Sequence, residues 1–113
     1  MEIEFASKKQ AKLANSSAKL NKEYGNRAKK ISRLLQWLSA ATTLTHFRQL
    51  APLVRLHQLT ENRDEQFAVD VTKNYRMTFV VNNEPVPRKA DGGLEIDAVT
   101  AIQIVNLCED YHG

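Results

Sequence analysis

The side chains of this 113-residue chain that can move protons or hold a phosphate lie mostly in its second half. His57 falls in an alternating stretch, Arg63 in the loop after it, Arg76 in a later apolar run, and Asp110-Tyr111-His112 near the end. Imidazole, phenol, carboxylate and guanidinium together suit cleavage of RNA by internal transesterification. One group removes the 2′-hydroxyl proton, another protonates the departing 5′-oxygen, and a cation steadies the extra charge on phosphorus. Each residue also has a plain structural use. A strand histidine can be a surface or hydrogen-bonded residue, Arg76 an ion-pair partner for Asp70 or Glu65, and Tyr111 a lid on the core.

Other chemistries find less support. His46, His57 and His112 are scattered, and Cys108, four residues before His112, makes at most a two-ligand set, so no metal site is expected. Gly92-Gly93 lies in an acidic loop with no following Lys or helix, which is not a phosphate-cradling pattern. No cofactor is expected.

The elements that must position these groups read from the apolar spacing. Glu2-Ile3-Glu4-Phe5 alternates like a short strand. Residues 7–24, without Pro or Gly, carry Leu13, Leu20 and Tyr24 at helical spacing, and Gly25-Asn26 supplies a stop and an N-cap. Over 27–40, Ala28, Ile31, Leu34, Leu35 and Leu38 form one face of a second helix. A link this short predicts a helical hairpin. A short stretch around 44–51 ends at Pro52, after which the period becomes two. Val54, Leu56 and Gln58 mark a second strand, Phe67, Val69 and Val71 a third, residues 75–81 a fourth and 101–107 a central last one. Residues 82–98, with two Pro and two Gly, read as a long exposed excursion. The expected fold is one α+β domain over residues 1–113: a short strand, a two-helix hairpin, then a four-strand antiparallel run with the helices on one face.

Composition narrows the class. The chain is 42% hydrophobic, ordinary for a globular fold, and no apolar run is long enough to span a membrane. The opening residues do not read as a secretory signal, and one cysteine allows no internal disulfide, so a cytoplasmic setting is expected. Net charge is only +3, but residues 1–55 hold eleven Lys and Arg against three acids, whereas residues 56–113 hold five against ten. That asymmetry fits a basic surface meeting a polyanion, and equally two helices solvated by their lysines.

The stretch Arg55-Leu-His-Gln-Leu-Thr-Glu-Asn-Arg63-Asp-Glu-Gln-Phe-Ala-Val-Asp-Val71, continuing through Asn74-Tyr-Arg-Met-Thr-Phe79, resembles the core of HigB-like toxins. These are the killer proteins of plasmid-maintenance toxin–antitoxin pairs, in the RelE/ParE superfamily. The ending Glu109-Asp110-Tyr111-His112 is similar to that family's terminal E-D-Y-H, and Glu84–Gly93 resembles the excursion of one subgroup. The likeness spans about residues 26–113. It implies a RelE-like microbial RNase fold and a ribosome-dependent endoribonuclease that cuts mRNA and so inhibits translation. It also implies a helix-turn-helix antitoxin as partner, operator DNA bound only through that antitoxin, and no membrane role. Residue by residue, it implies catalytic places for His57, Arg76, Asp110, Tyr111 and His112, and a phosphate contact for Arg63. Thr60 stands where better-characterised members carry lysine, and Thr can donate a hydrogen bond but cannot neutralise charge. Lys8, Lys9, Lys12, Lys19, Lys22, Lys29, Lys30 and Arg33 become candidate contacts to ribosomal RNA backbone. The alternatives within this resemblance are a ParE-like poison of DNA gyrase that cuts nothing, and an inactive remnant that only binds its antitoxin.

Overall fold

A computed structural model describes residues 1–63 and 65–111. The clearest helical pattern in the sequence becomes helix α3, Ala28–Ala40, with Ile31, Leu34 and Leu38 fully buried and Leu35 partly so. The segment expected as one helix over 7–24 divides in two, α1 (Lys8–Ala14) and α2 (Ser17–Tyr24). The cause is local. Ser16 leaves helical geometry and its hydroxyl accepts from the Lys19 amide at 3.2 Å, so it caps a new helix instead of continuing the old one. Gly25 ends α2 with φ of +57°, a conformation costly to any residue with a Cβ. Asn26 does not cap α3; a 3₁₀ turn over Gly25–Arg27 runs directly into it, with Arg27 at the cap position and no side-chain bond. A further short helix, α4 (Leu44–Leu50), buries Leu44 and Phe47.

The sheet holds five strands in the order β1-β5-β4-β3-β2, with β1 Glu2–Phe5, β2 His57–Gln58, β3 Gln66–Thr72, β4 Tyr75–Val81 and β5 Ala101–Asp110. The strands β2 to β5 pair antiparallel, and β1 adds to β5 in parallel, so the sheet is mixed. The last strand lies inside the sheet, as its apolar run predicts. Past the end of β1, Gln10 of α1 takes over its role: its amide donates to the Val105 carbonyl at 2.9 Å and accepts from the Leu107 amide at 2.6 Å. The second strand is shorter than its alternation suggests. Pro52–Val54 forms a 3₁₀ turn and Arg55 sits in the left-handed region at φ of +54°, leaving two residues to pair.

One face of the sheet carries Phe67, Val69, Val71, Met77, Phe79, Ile102 and Ile104, and the buried residues of the helices pack against it in a single core. The excursion over 82–98 is not simply exposed. Leu94 is buried, Val86 and Ile96 pack on the core, and Arg88 joins Glu65 at 2.7 Å. It does stay out of the sheet, apart from one isolated bridge between Arg88 and Leu94. Among the described residues no helix is long and apolar enough to cross a membrane.

Candidate active site on the open face of the sheet

Because strand side chains alternate, the residues between the core positions form the second face. That face carries Gln66, Ala68 and Asp70 from β3, and Arg76, Thr78 and Val80 from β4. His57 lies on it opposite Ala68, and Glu109 opposite Arg76. It is the face away from the helices. Small Ala68 and Thr78, both fully buried, make its floor, and charged groups stand around them.

The centre is a carboxylate between two guanidinium groups. Arg76 Nε lies 2.7 Å from Glu109 Oε2. Arg63, delivered by the 3₁₀ turn over Glu61–Arg63, meets the same carboxylate through both terminal nitrogens, at 2.9 and 3.0 Å, and donates to Gln66 Oε1 at 2.8 Å. Planar forks suit a two-oxygen anion, which makes these charge-assisted bonds the strong kind. One negative charge shared by two arginines leaves a positive surplus within the triad.

Tyr111 is tied to this centre. Its ring lies 4.7 Å from the Arg76 guanidinium carbon, its hydroxyl donates to the Lys73 carbonyl at 3.1 Å and reaches Asp70 Oδ1 at 3.4 Å, and its amide donates to the Asn74 carbonyl. It stacks on an arginine and is no lid on the core. The ion-pair partners considered for Arg76 lie elsewhere, since Asp70 takes Arg55 at 2.7 Å and Glu65 takes Arg88.

His57 stands exposed at the outer strand, two strand spacings from Arg76 and so on the order of 10 Å across the sheet. Its Nδ1 lies 2.7 Å from the Arg55 carbonyl. A carbonyl only accepts, so Nδ1 must carry the hydrogen, and in the neutral ring Nε2 keeps its lone pair. That tautomer can accept a proton.

The remaining expected site residues are placed as follows. Thr60 is exposed, and its carbonyl accepts from the Arg63 amide. Asp110 pairs with Tyr75 in register, and alternation turns it to the helix side of the sheet. There its charge bears on Cys108, which the Arg27 guanidinium contacts at 3.6 Å while stacking 3.9 Å above Tyr75. His112 lies outside the described residues. Lys8, Lys9 and Lys12 are on α1, Lys19 and Lys22 on α2, and Lys29, Lys30 and Arg33 on α3. Those on α2 and α3 belong to the helical layer, whose buried residues pack on the core face behind the sheet from Arg76, whereas α1 lies at the β5 edge, where Gln10 bonds the strand. Lys30 and Arg33 flank the Trp37 ring.

Two features were not foreseen from sequence. Glu109 was visible only as part of the terminal run, although Arg76 and Glu109 are direct cross-strand partners. The Thr78 hydroxyl, one pair further along the same face, is buried without a partner, a state that costs about 1–3 kcal/mol.

The triad has a pH signature. Partial burial pushes the Glu109 carboxyl up, but the hydrogen bonds and charges of Arg63 and Arg76 outweigh it, holding the group below the usual carboxylate range. A carboxyl depressed by folding stabilises fully above its unfolded pKa, near 4.5, and loses that contribution as pH falls through the lower folded value. The urea midpoint of Glu109→Gln is therefore expected to fall less steeply than that of the parent below about pH 4.5. Glu65, held low by Arg88, titrates in the same window in both proteins, and as a solvent-exposed pair it contributes little. Parallel midpoint curves would mean that the triad carries no such energy.

Comparison with known proteins adds one finding. No family model matches the chain, and no curated protein does. Among solved structures the fold is similar to that of a YoeB/ParE toxin from Agrobacterium tumefaciens, with a TM-score of 0.55 at 9% identity over 99% of this chain and 100% of that one. At that identity the likeness is one of fold, and over essentially the whole of both chains.

Proposed function

We propose that this chain is the toxin of a toxin–antitoxin pair and acts as a ribosome-dependent mRNA endoribonuclease in the cytoplasm. The observation that carries the proposal is the open sheet face on which Arg63 and Arg76 converge, with Tyr111 stacked on Arg76 and His57 at the rim in a proton-accepting tautomer. The fold shared with a YoeB/ParE toxin and the HigB-like motifs support the same reading.

In this mechanism His57 Nε2 takes the 2′-hydroxyl proton and the freed oxygen attacks phosphorus. The bond to the 5′-oxygen then breaks as a general acid returns a proton, leaving a 2′,3′-cyclic phosphate and a 5′-hydroxyl. His112 is the acid that the resemblance suggests. The phosphorane carries one more negative charge than the diester it came from, so paired guanidinium groups stabilise it more than the ground state. Tyr111 supplies a ring fixed for stacking on a base. The basic helices, α2 and α3 on the other side of the sheet and α1 at its edge, grip RNA backbone away from the cut rather than the scissile phosphate. A helix-turn-helix antitoxin would hold the toxin silent and carry it to operator DNA.

Inducing the chain without an antitoxin is expected to arrest growth, with new mRNA 5′ ends inside reading frames. Intact mRNA accompanied by disturbed DNA supercoiling would favour the gyrase-poison reading instead.

A further inference from the structure

Resting on that reading of the arginine pair, we propose that the Glu109 carboxylate is an internal stand-in for the substrate phosphodiester, which must displace it to bind. The geometry is that of a ligand. One two-oxygen anion is held by two guanidinium groups from separate elements, Arg63 of the turn over Glu61–Arg63 through both terminal nitrogens and Arg76 of β4 through Nε, at 2.7 to 3.0 Å. The three side chains keep 16 to 31% of their surface in solvent, so a phosphate can reach them. Beside them the Thr78 hydroxyl is buried and has no partner in the free chain, a polar group that the native hydrogen bonding leaves over.

Charge explains what the arrangement would achieve. A phosphodiester carries the same single negative charge as the carboxylate, so exchange between them is nearly balanced and free RNA binds weakly. The transesterification transition state carries a second negative charge, for which two arginines are the better match. Glu109 would thus suppress ground-state binding to stray RNA more than it suppresses catalysis on a strand positioned by the ribosome. The groups facing the carboxylate are Arg63 and Arg76, with Tyr111 behind Arg76, while Asp110 turns to the opposite face.

The test measures binding, apart from cleavage. Inorganic phosphate and a fully 2′-methoxy RNA trinucleotide, which cannot be cut, are titrated into the parent and Glu109→Gln by calorimetry. Glutamine keeps the shape and one acceptor oxygen. The variant is expected to bind the trinucleotide about tenfold more tightly or better, because a competent state populated at a tenth or less weakens apparent affinity by that factor. Gains for the trinucleotide alone would identify RNA as the displacing ligand, and equal gains for phosphate would identify any phosphate. In the parent, the carboxyl-carbon NMR titration of Glu109 should move up toward the ordinary range when the trinucleotide saturates. A folded variant that binds no tighter, a carboxyl titration that ligand leaves unmoved, or no binding by either protein would overturn the proposal. Failure of the nuclease reading looks different: the variant still binds more tightly, but the parent cuts no mRNA on ribosomes.

Discussion

Replacing Arg76 by alanine is expected to lower the rate of mRNA cleavage by about 10²- to 10³-fold, the usual cost of removing one preorganised electrostatic stabiliser. Arg76 is placed for that role by its β4 position, by the 2.7 Å bond to Glu109 and by the Tyr111 ring beneath its guanidinium. The chain should remain folded, because Glu109 keeps Arg63 as a partner and loss of the charge-assisted bond costs about 1.5–3 kcal/mol. Arg76→Lys should recover only part of the activity, since an ammonium restores charge but not the fork. Lys19→Ala, on the exposed face of α2, removes at most one backbone contact and should change only salt-dependent ribosome affinity. Single-turnover cleavage on programmed ribosomes, at matched circular dichroism spectra, separates these cases. Full activity in a folded Arg76→Ala protein would remove the arginine from the mechanism.

The second large effect belongs to the histidines. His57→Ala is expected to cost about 10² to 10⁴ in rate, the range for a general base, with almost no change in stability because the side chain is exposed. His57→Asn should be as inactive as alanine. Its amide can still donate to the Arg55 carbonyl, so the position is kept while the ring nitrogen with the lone pair is lost. His112→Ala should fall in the same range if His112 returns the proton, and the double variant should lose less than the product of the two, as groups acting in one step do. A His57→Asn protein with parental activity would move the base elsewhere.

Much of this was legible because it depends on short-range pattern. The helical period of Ala28, Ile31, Leu34 and Leu38 and the alternation in 67–71 and 75–81 each have one physical solution, burial on one side. The division of the first helix was less legible. Asn15-Ser16-Ser17 is tolerated inside a helix, and only the bond from the Ser16 hydroxyl to the Lys19 amide makes it a boundary. The site was legible in residue types and not in geometry. Arg76, His57 and Tyr111 announce themselves chemically, but Glu109 matters through a cross-strand register that two irregularities in the β4–β5 pairing set. The same register turns Asp110 away from Arg76, which the run Asp110-Tyr111-His112 cannot reveal. Charge counts along the chain likewise say nothing about side: α2 and α3, which carry many of the lysines, and the arginine pair lie on opposite sides of one sheet.

The most direct measurement takes purified chain, ribosomes programmed with a defined mRNA, and RNA end mapping with chemical identification of the new termini. Cutting only when ribosomes are present, confined to the decoding-site codons and leaving 2′,3′-cyclic phosphate and 5′-hydroxyl ends, is the expected result, slowed about 10²- to 10³-fold by Arg76→Ala. Intact mRNA in that mixture, with a folded parent protein that instead traps gyrase on DNA, would contradict it.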